Sequence, residues 1–109
     1  WKDLTDLDQL DKIWDETDEH AVAIFKHSTR CSISFHMMHR LESDWDLNPD
    51  DCSFYFLDLV QYKAISNEVA SRSGVRHQSP QLIVIKDRKA IYDASHGSIS
   101  VDSLKASLA

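Results

Sequence analysis

Two connections of very different length set the topology of this chain. The apolar runs "QLIVIK" (81–86) and "KAIYDAS" (89–95) are separated only by Asp87 and Arg88, a link too short for anything but an antiparallel hairpin. The runs "AVAIFKH" (21–27) and "CSFYFLDLV" (52–60) are joined instead by a long segment with helical spacing, and a strand–helix–strand unit returns by a right-handed crossover to a parallel partner. A mixed, four-stranded sheet satisfies both requirements. Asp87-Arg88 lacks the glycine usual in a two-residue hairpin, which leaves its turn type open.

The segments around these strands read as helices. In 6–17, Leu7, Leu10, Ile13 and Trp14 recur at three and four, with Asp6 as N-cap and Gln9 three residues on. In 32–46 the stripe is Ile33, Met37, Leu41 and Trp45, and Asn48-Pro49-Asp50-Asp51 is a turn. Tyr62, Ile65 and Val69 mark a third helix that Gly74 stops from the C′ position, and Ser100 caps a last helix carrying Val101, Leu104 and Leu108. The order is helix, strand, helix, strand, helix, strand, strand, helix. That order, with Pro80 opening the strand after the third helix, resembles the thioredoxin-like α/β fold, so a mixed four-stranded sheet with helices on both faces is expected. A length of 109 residues suits one domain spanning 1–109.

Charge and hydropathy narrow the function. A net charge of −6 offers no basic face to neutralise phosphates, which disfavours nucleic acid as a partner. No apolar run approaches the roughly 20 residues that cross a bilayer, so no membrane association is expected. The start, "WKDLTDLDQL", lacks the charged-then-apolar pattern of a signal peptide. The expected compartment is the cytoplasm, where thiols stay reduced. Two glycines cannot build a phosphate loop, and no Gly-x-Ser-x-Gly elbow supports a serine hydrolase.

Cys31, in "KHSTRCSIS" (26–34), follows the first strand and opens the second helix. The thiolate is the reactive form of cysteine, and a helix N-terminus and nearby cations favour it. Arg30 is adjacent, and Lys26 and His27 lie just before. Position alone leaves a buried structural cysteine as the competing reading. Cys52 starts the second strand, at the opposite edge of a parallel pair. A separation of about 20 Å is expected there, against the ~7 Å limit for a disulfide, so Cys52 is assigned to packing. Ser34 stands where a dithiol oxidoreductase would carry its second cysteine, making a Cys-x-x-Ser site. His36 and His39 have i, i+3 spacing but no visible second pair, so no metal is expected, and with Arg40 and Ser43 they form a solvated stripe. The acidic group Asp44, Asp46, Asp50 and Asp51 is assigned to solubility.

"KHSTRCSIS", with "GVRHQSPQ" (74–81) and "ASHGSIS" (94–100), resembles the monothiol bacilliredoxins of the YtxJ type, from about Phe25 to Leu108. Those proteins carry Thr-Cys-Pro-Ile-Ser at the start of the second helix. Here Arg30 separates Thr29 from Cys31, and Ser32 replaces the proline. The resemblance implies monothiol thiol–disulfide exchange with bacillithiol, a small cytoplasmic thiol that some bacteria use in place of glutathione. Bacillithiol is then a co-substrate with no bound cofactor, Cys31 the nucleophile, and bacillithiolated client proteins and the low-molecular-weight thiol the partners of a monomer. It also implies a cis Ser79-Pro80 bond, with His77, Gln78 and Ser79 lining a groove beside Cys31, where their polar side chains are expected to contact the sugar and malate groups of bacillithiol. Thr29, Arg30, Ser34, His77, Ser79 and Pro80 are the expected substrate contacts. His96 is placed at the same sheet edge as Cys31, and Gly97 is expected to meet a backbone need, either close approach or positive φ. Two alternatives stand beside this reading: a non-catalytic module docking a peptide near Pro80, and a redox sensor whose Cys31 is oxidised or capped without turnover.

Overall fold

The computed structural model describes residues 1–108, and every expected element is present. In chain order they are β1 (Lys2–Asp3), α1 (Leu7–Glu16), β2 (Ala21–His27), α2 (Ser32–Asp44), β3 (Cys52–Asp58), α3 (Lys63–Ser73), β4 (Gln81–Lys86), β5 (Lys89–Ser95) and α4 (Val101–Leu108). The sheet has five strands in the order β1-β3-β2-β4-β5, which corrects the expected four. The added strand, β1, is two exposed residues paired parallel to Tyr55 and Phe56 of β3. Two residues carry no periodicity. Their neighbours hold them instead: Trp1 stacks on Phe54 with centroids 4.3 Å apart, and the Leu4 N–H donates to the Phe56 carbonyl at 2.8 Å.

β2 pairs parallel with β3 and antiparallel with β4, so both crossover and hairpin obey the connection lengths. All seven residues of β2 are buried, as a central strand covered on both sides requires. Alternation sends Val22 and Ile24 to the α1/α3 face, against Leu10, Ile13, Trp14, Ile65 and Val69. Ala21, Ala23 and Phe25 turn to the α2/α4 face, against Met37, Leu41, Val101 and Leu104. Full burial of a large apolar side chain stabilises by about 1.5–3 kcal/mol, so neither layer of helices is dispensable.

Several local expectations are refined. Asp6 caps α1 by accepting the Gln9 N–H at 2.7 Å, and Ser100 caps α4 by accepting the Ser103 N–H at 3.1 Å. Ile33 is corrected from the buried stripe of α2 to the surface, 38% exposed, because the inward residues are Ser34, Met37 and Leu41. Trp45 lies past the helix end and packs edge-on to Phe54. β3 stops at Asp58 because that carboxylate accepts the Val60 and Gln61 N–H groups and turns the chain. The hairpin turn places Asp87 and Arg88 at φ 51° and 66°, the left-handed pair of a type I′ turn without glycine. Docking on α1 offsets that strain: Thr17 accepts both backbone N–H groups, and the Arg88 guanidinium pairs with Asp15 and Asp18.

The two glycines differ. Gly74 ends α3 at φ 72°, whereas Gly97 lies outside the left-handed region and an added Cβ there would meet nothing within 4 Å. The expected backbone need at Gly97 is thereby corrected; its neighbour His96 takes the positive φ, 54°. Gly74→Ala is expected to lower stability by about 1–2 kcal/mol, and Gly97→Ala to leave it unchanged or raise it by up to about 1 kcal/mol. Denaturant midpoints of the two variants check the contrast.

Candidate functional site

The register of the sheet gathers four connections at one edge. His27 pairs with Asp58 at the ends of β2 and β3, and Lys26 and Ser95 both pair with Gln81. The turns after β2, after β3, before β4 and after β5 therefore meet, bringing 28–31, 59–62, 77–80 and 96–98 to the same end. The turn after β5 packs on α2, and the His96 N–H donates to the Pro80 carbonyl at 2.9 Å. His96 reaches the expected edge and is exposed.

Cys31 is the N-cap of α2, with extended backbone (φ −126°, ψ 119°) and no side-chain capping bond. Its thiol is partly exposed and free. Its backbone is fixed on both sides, the N–H donating to the Ser28 carbonyl and the carbonyl accepting from the Ser34 N–H, each at 3.2 Å. Cys31 thus stands at the N-terminal, positive end of the α2 dipole. Thr29 and Arg30 are exposed in the turn just before it.

Ser34 departs from its expected role as a substrate contact. It is fully buried, its hydroxyl accepting the Ser28 N–H at 3.0 Å and lying 2.7 Å from His27 Nδ1. A hydroxyl so enclosed positions the turn that carries Cys31. His27 is boxed by Phe25, Phe35 and Phe56, with ring centroids 4.5–6.3 Å apart across the cluster. Burial pushes its pKa down against the pull of Asp58 and of the Ser34 bond, so at neutral pH it is no cation. That corrects its expected contribution to the charge near Cys31.

Lys26 points to the other face. It is fully buried, with its ammonium donating to the Ser66 carbonyl at 3.1 Å and to His77 Nδ1 at 3.3 Å. Burial lowers its pKa to about 8. His77 is also lowered, by burial and then by the Lys26 charge, as befits an imidazole that accepts. Sequence reasoning read Lys26 and His27 only as nearby charges; the available signal was a polar pair ending an otherwise apolar, doubly covered strand.

The Ser79-Pro80 bond is cis, as expected. Pro80 is buried, and the Ser79 hydroxyl is buried without a hydrogen-bond partner among the described residues. Gln81 shapes this turn by accepting the Gln78 N–H and donating to the Arg76 carbonyl.

Cys52 pairs with Ala21 at the far end of β2 and β3, about 20 Å from Cys31 at ~3.3 Å per residue. It is buried, and burial pushes its pKa up to about 12. His36, His39, Arg40 and Ser43 are exposed, and among the described residues no three His, Cys, Asp or Glu side chains gather as a metal site. No described helix is long and apolar enough to cross a membrane. A hollow of about 670 Å³ beside His20 and Ala21 lies at the Cys52 end of the sheet, away from Cys31.

The chain is similar, over residues 2–104, to the family described as monothiol bacilliredoxin BrxC. Among solved structures it resembles a candidate oxidoreductase with a thioredoxin fold, at 27% identity and a TM-score of 0.82, covering 97% of this chain and 91% of that one. Thioredoxin of Malassezia sympodialis matches at 20% identity and a TM-score of 0.74, covering 98% and 86% of the two chains. Thioredoxin of Fasciola hepatica matches at 18% identity and a TM-score of 0.72, covering 99% and 96%. These last two share the fold.

Proposed function

This chain belongs to the monothiol bacilliredoxin family, and on that premise we propose that Cys31 removes bacillithiol from protein mixed disulfides. The family and the thioredoxin-fold oxidoreductase that the chain resembles both support thiol–disulfide redox chemistry here. One observation carries the monothiol form: Cys31 is accessible at a helix N-cap, while Ser34 occupies the position of a second cysteine and Cys52 sits a sheet length away. An internal disulfide has no partner thiol within reach.

In the reaction, the Cys31 thiolate attacks the bacillithiol sulfur of a client mixed disulfide. The client sulfur leaves as thiolate with the electron pair of the broken S–S bond, and Cys31 becomes disulfide-bonded to bacillithiol. A second bacillithiol thiolate then attacks that bacillithiol sulfur, releasing Cys31 as thiolate and forming bacillithiol disulfide, which an external reductase reduces. Exchange of this kind needs an attacking thiolate, a good leaving thiol and access. Cys31 acts, both as attacker and as leaving group, from the N-terminal end of α2. Thr29, Arg30, Ser79 and Pro80 flank the approach, and the setting is a reducing cytoplasm with bacillithiol as co-substrate and no bound cofactor.

The test is intact-protein mass after mixing the reduced protein separately with the disulfides of bacillithiol and glutathione, with peptide mapping of any adduct. One bacillithiol adduct on Cys31, formed in preference to glutathione and removed by free bacillithiol, is expected. An adduct only on Cys52, or none, overturns the proposal and favours a binding role for the Pro80 groove.

A further inference from the structure

The sheet edge that carries Cys31 holds a cavity of about 270 Å³ lined by Arg30, Val60, Lys63, Ser66, Asn67 and His77. Its charged lining is basic, with no carboxylate among the described residues, in a chain whose net charge is −6. Behind Ser66 and His77 lies the buried Lys26 ammonium, whose partners are a carbonyl and an imidazole. Neither partner supplies negative charge, and a buried cation without a counter-charge is costly to keep. The positive character is local: the neighbouring hollow across the 59–62 turn is lined by Asp3 and Asp58. Lys63 is also the first residue of the eleven-residue helix α3, so the helix dipole adds its positive end to the same wall.

Two cationic side chains thus line one hollow without an acid, and a third stands behind its wall, which specifies an anion. The space of about 270 Å³ suits a small dicarboxylate and is too small for a folded segment. Arg30 directly precedes Cys31, and Arg30, Val60 and His77 of the lining belong to the turns that meet at the Cys31 edge of the sheet. We propose that this cavity binds the malate carboxylates of bacillithiol, with Arg30 and Lys63 as direct contacts and Lys26 as the fixed charge behind them. The assignment rests on the exchange reaction proposed above and adds to it the element that distinguishes bacillithiol from an uncharged thiol.

The experiment compares rates of transfer to Cys31 from one client peptide disulfide-linked either to bacillithiol or to 2-mercaptoethanol, for the unmodified protein and for Lys63→Glu. Lys63 is exposed in the first turn of α3, where an acidic side chain is favourable, so the variant keeps its fold. The ratio of the bacillithiol to the mercaptoethanol rate is expected to fall about tenfold or more, the scale of a charge-assisted contact turned repulsive. An unchanged ratio, with transfer from bacillithiol intact, overturns the subsite and leaves the exchange reaction standing. No transfer from the bacillithiol disulfide by the unmodified protein, with transfer from mercaptoethanol retained, overturns the functional reading and the subsite with it.

Discussion

Cys31→Ser is expected to abolish bacillithiol transfer and at the same time to make the protein more stable. The loss follows because a serine hydroxyl cannot form the mixed disulfide on which exchange depends. The gain follows from position: Cys31 is the N-cap of α2 and makes no side-chain capping bond. Serine is among the best N-cap residues, and such caps contribute about 0.5–2 kcal/mol. Cys52→Ser should show the reverse. Its turnover is retained, because the residue is remote from Cys31, and its stability falls by about 1–3 kcal/mol as a hydroxyl replaces a buried thiol. Transfer assays and urea midpoints on both variants separate chemistry from folding. Equal turnover of the two would sink the assignment of Cys31. An unstable but active Cys52→Ser, beside a stable but inactive Cys31→Ser, would show that the cap is sacrificed for the nucleophile.

Much of the frame was legible because each long element announces itself locally. Asp6 with Gln9, the unbroken run of β2 and the spacing of Ile65 and Val69 placed their elements within a residue or two of the structure. What escaped has non-local causes. β1 is held by Trp1 stacking on Phe54, a contact between residues far apart in the chain. The glycine-free hairpin is stabilised by Thr17, at the end of a helix it reaches only after folding. At the edge that carries Cys31, Cys31 and Pro80 were marked by chain position and by resemblance, whereas the inner contacts were not. Ser34 looked like a surface contact until its hydroxyl was found between Ser28 and His27. Lys26, Ser66 and His77 meet only because β2, α3 and the turn before Pro80 converge.

Lys26→Met is expected to raise stability at neutral pH by about 2 kcal/mol, with the advantage vanishing toward about pH 10. The sign follows from linkage. Burial lowers the folded-state pKa of Lys26 to about 8, below the ~10.4 of an unfolded lysine. Below pH 8 both states hold the proton, and the folded state carries the full cost of a buried charge. Between the two values the unfolded chain binds the proton that the folded chain has released, so stability rises with pH through this window, by roughly 3 kcal/mol in all. Methionine removes that cost and also the bond to the Ser66 carbonyl, worth about 1 kcal/mol. Cys52 and Tyr55 act oppositely, because burial raises both and the unfolded chain loses those protons first. Only the difference between the two proteins, from denaturant titrations at several pH values, isolates Lys26. A Met variant less stable at pH 7, or a difference that does not vary with pH, would refute the argument. A gain makes Lys26 a residue retained against stability, as expected where a charge serves a site. Since the ammonium stands behind the Ser66 and His77 wall of the basic cavity, the same variant should then lower the preference for bacillithiol over mercaptoethanol, tying the stability cost to recognition of the anion.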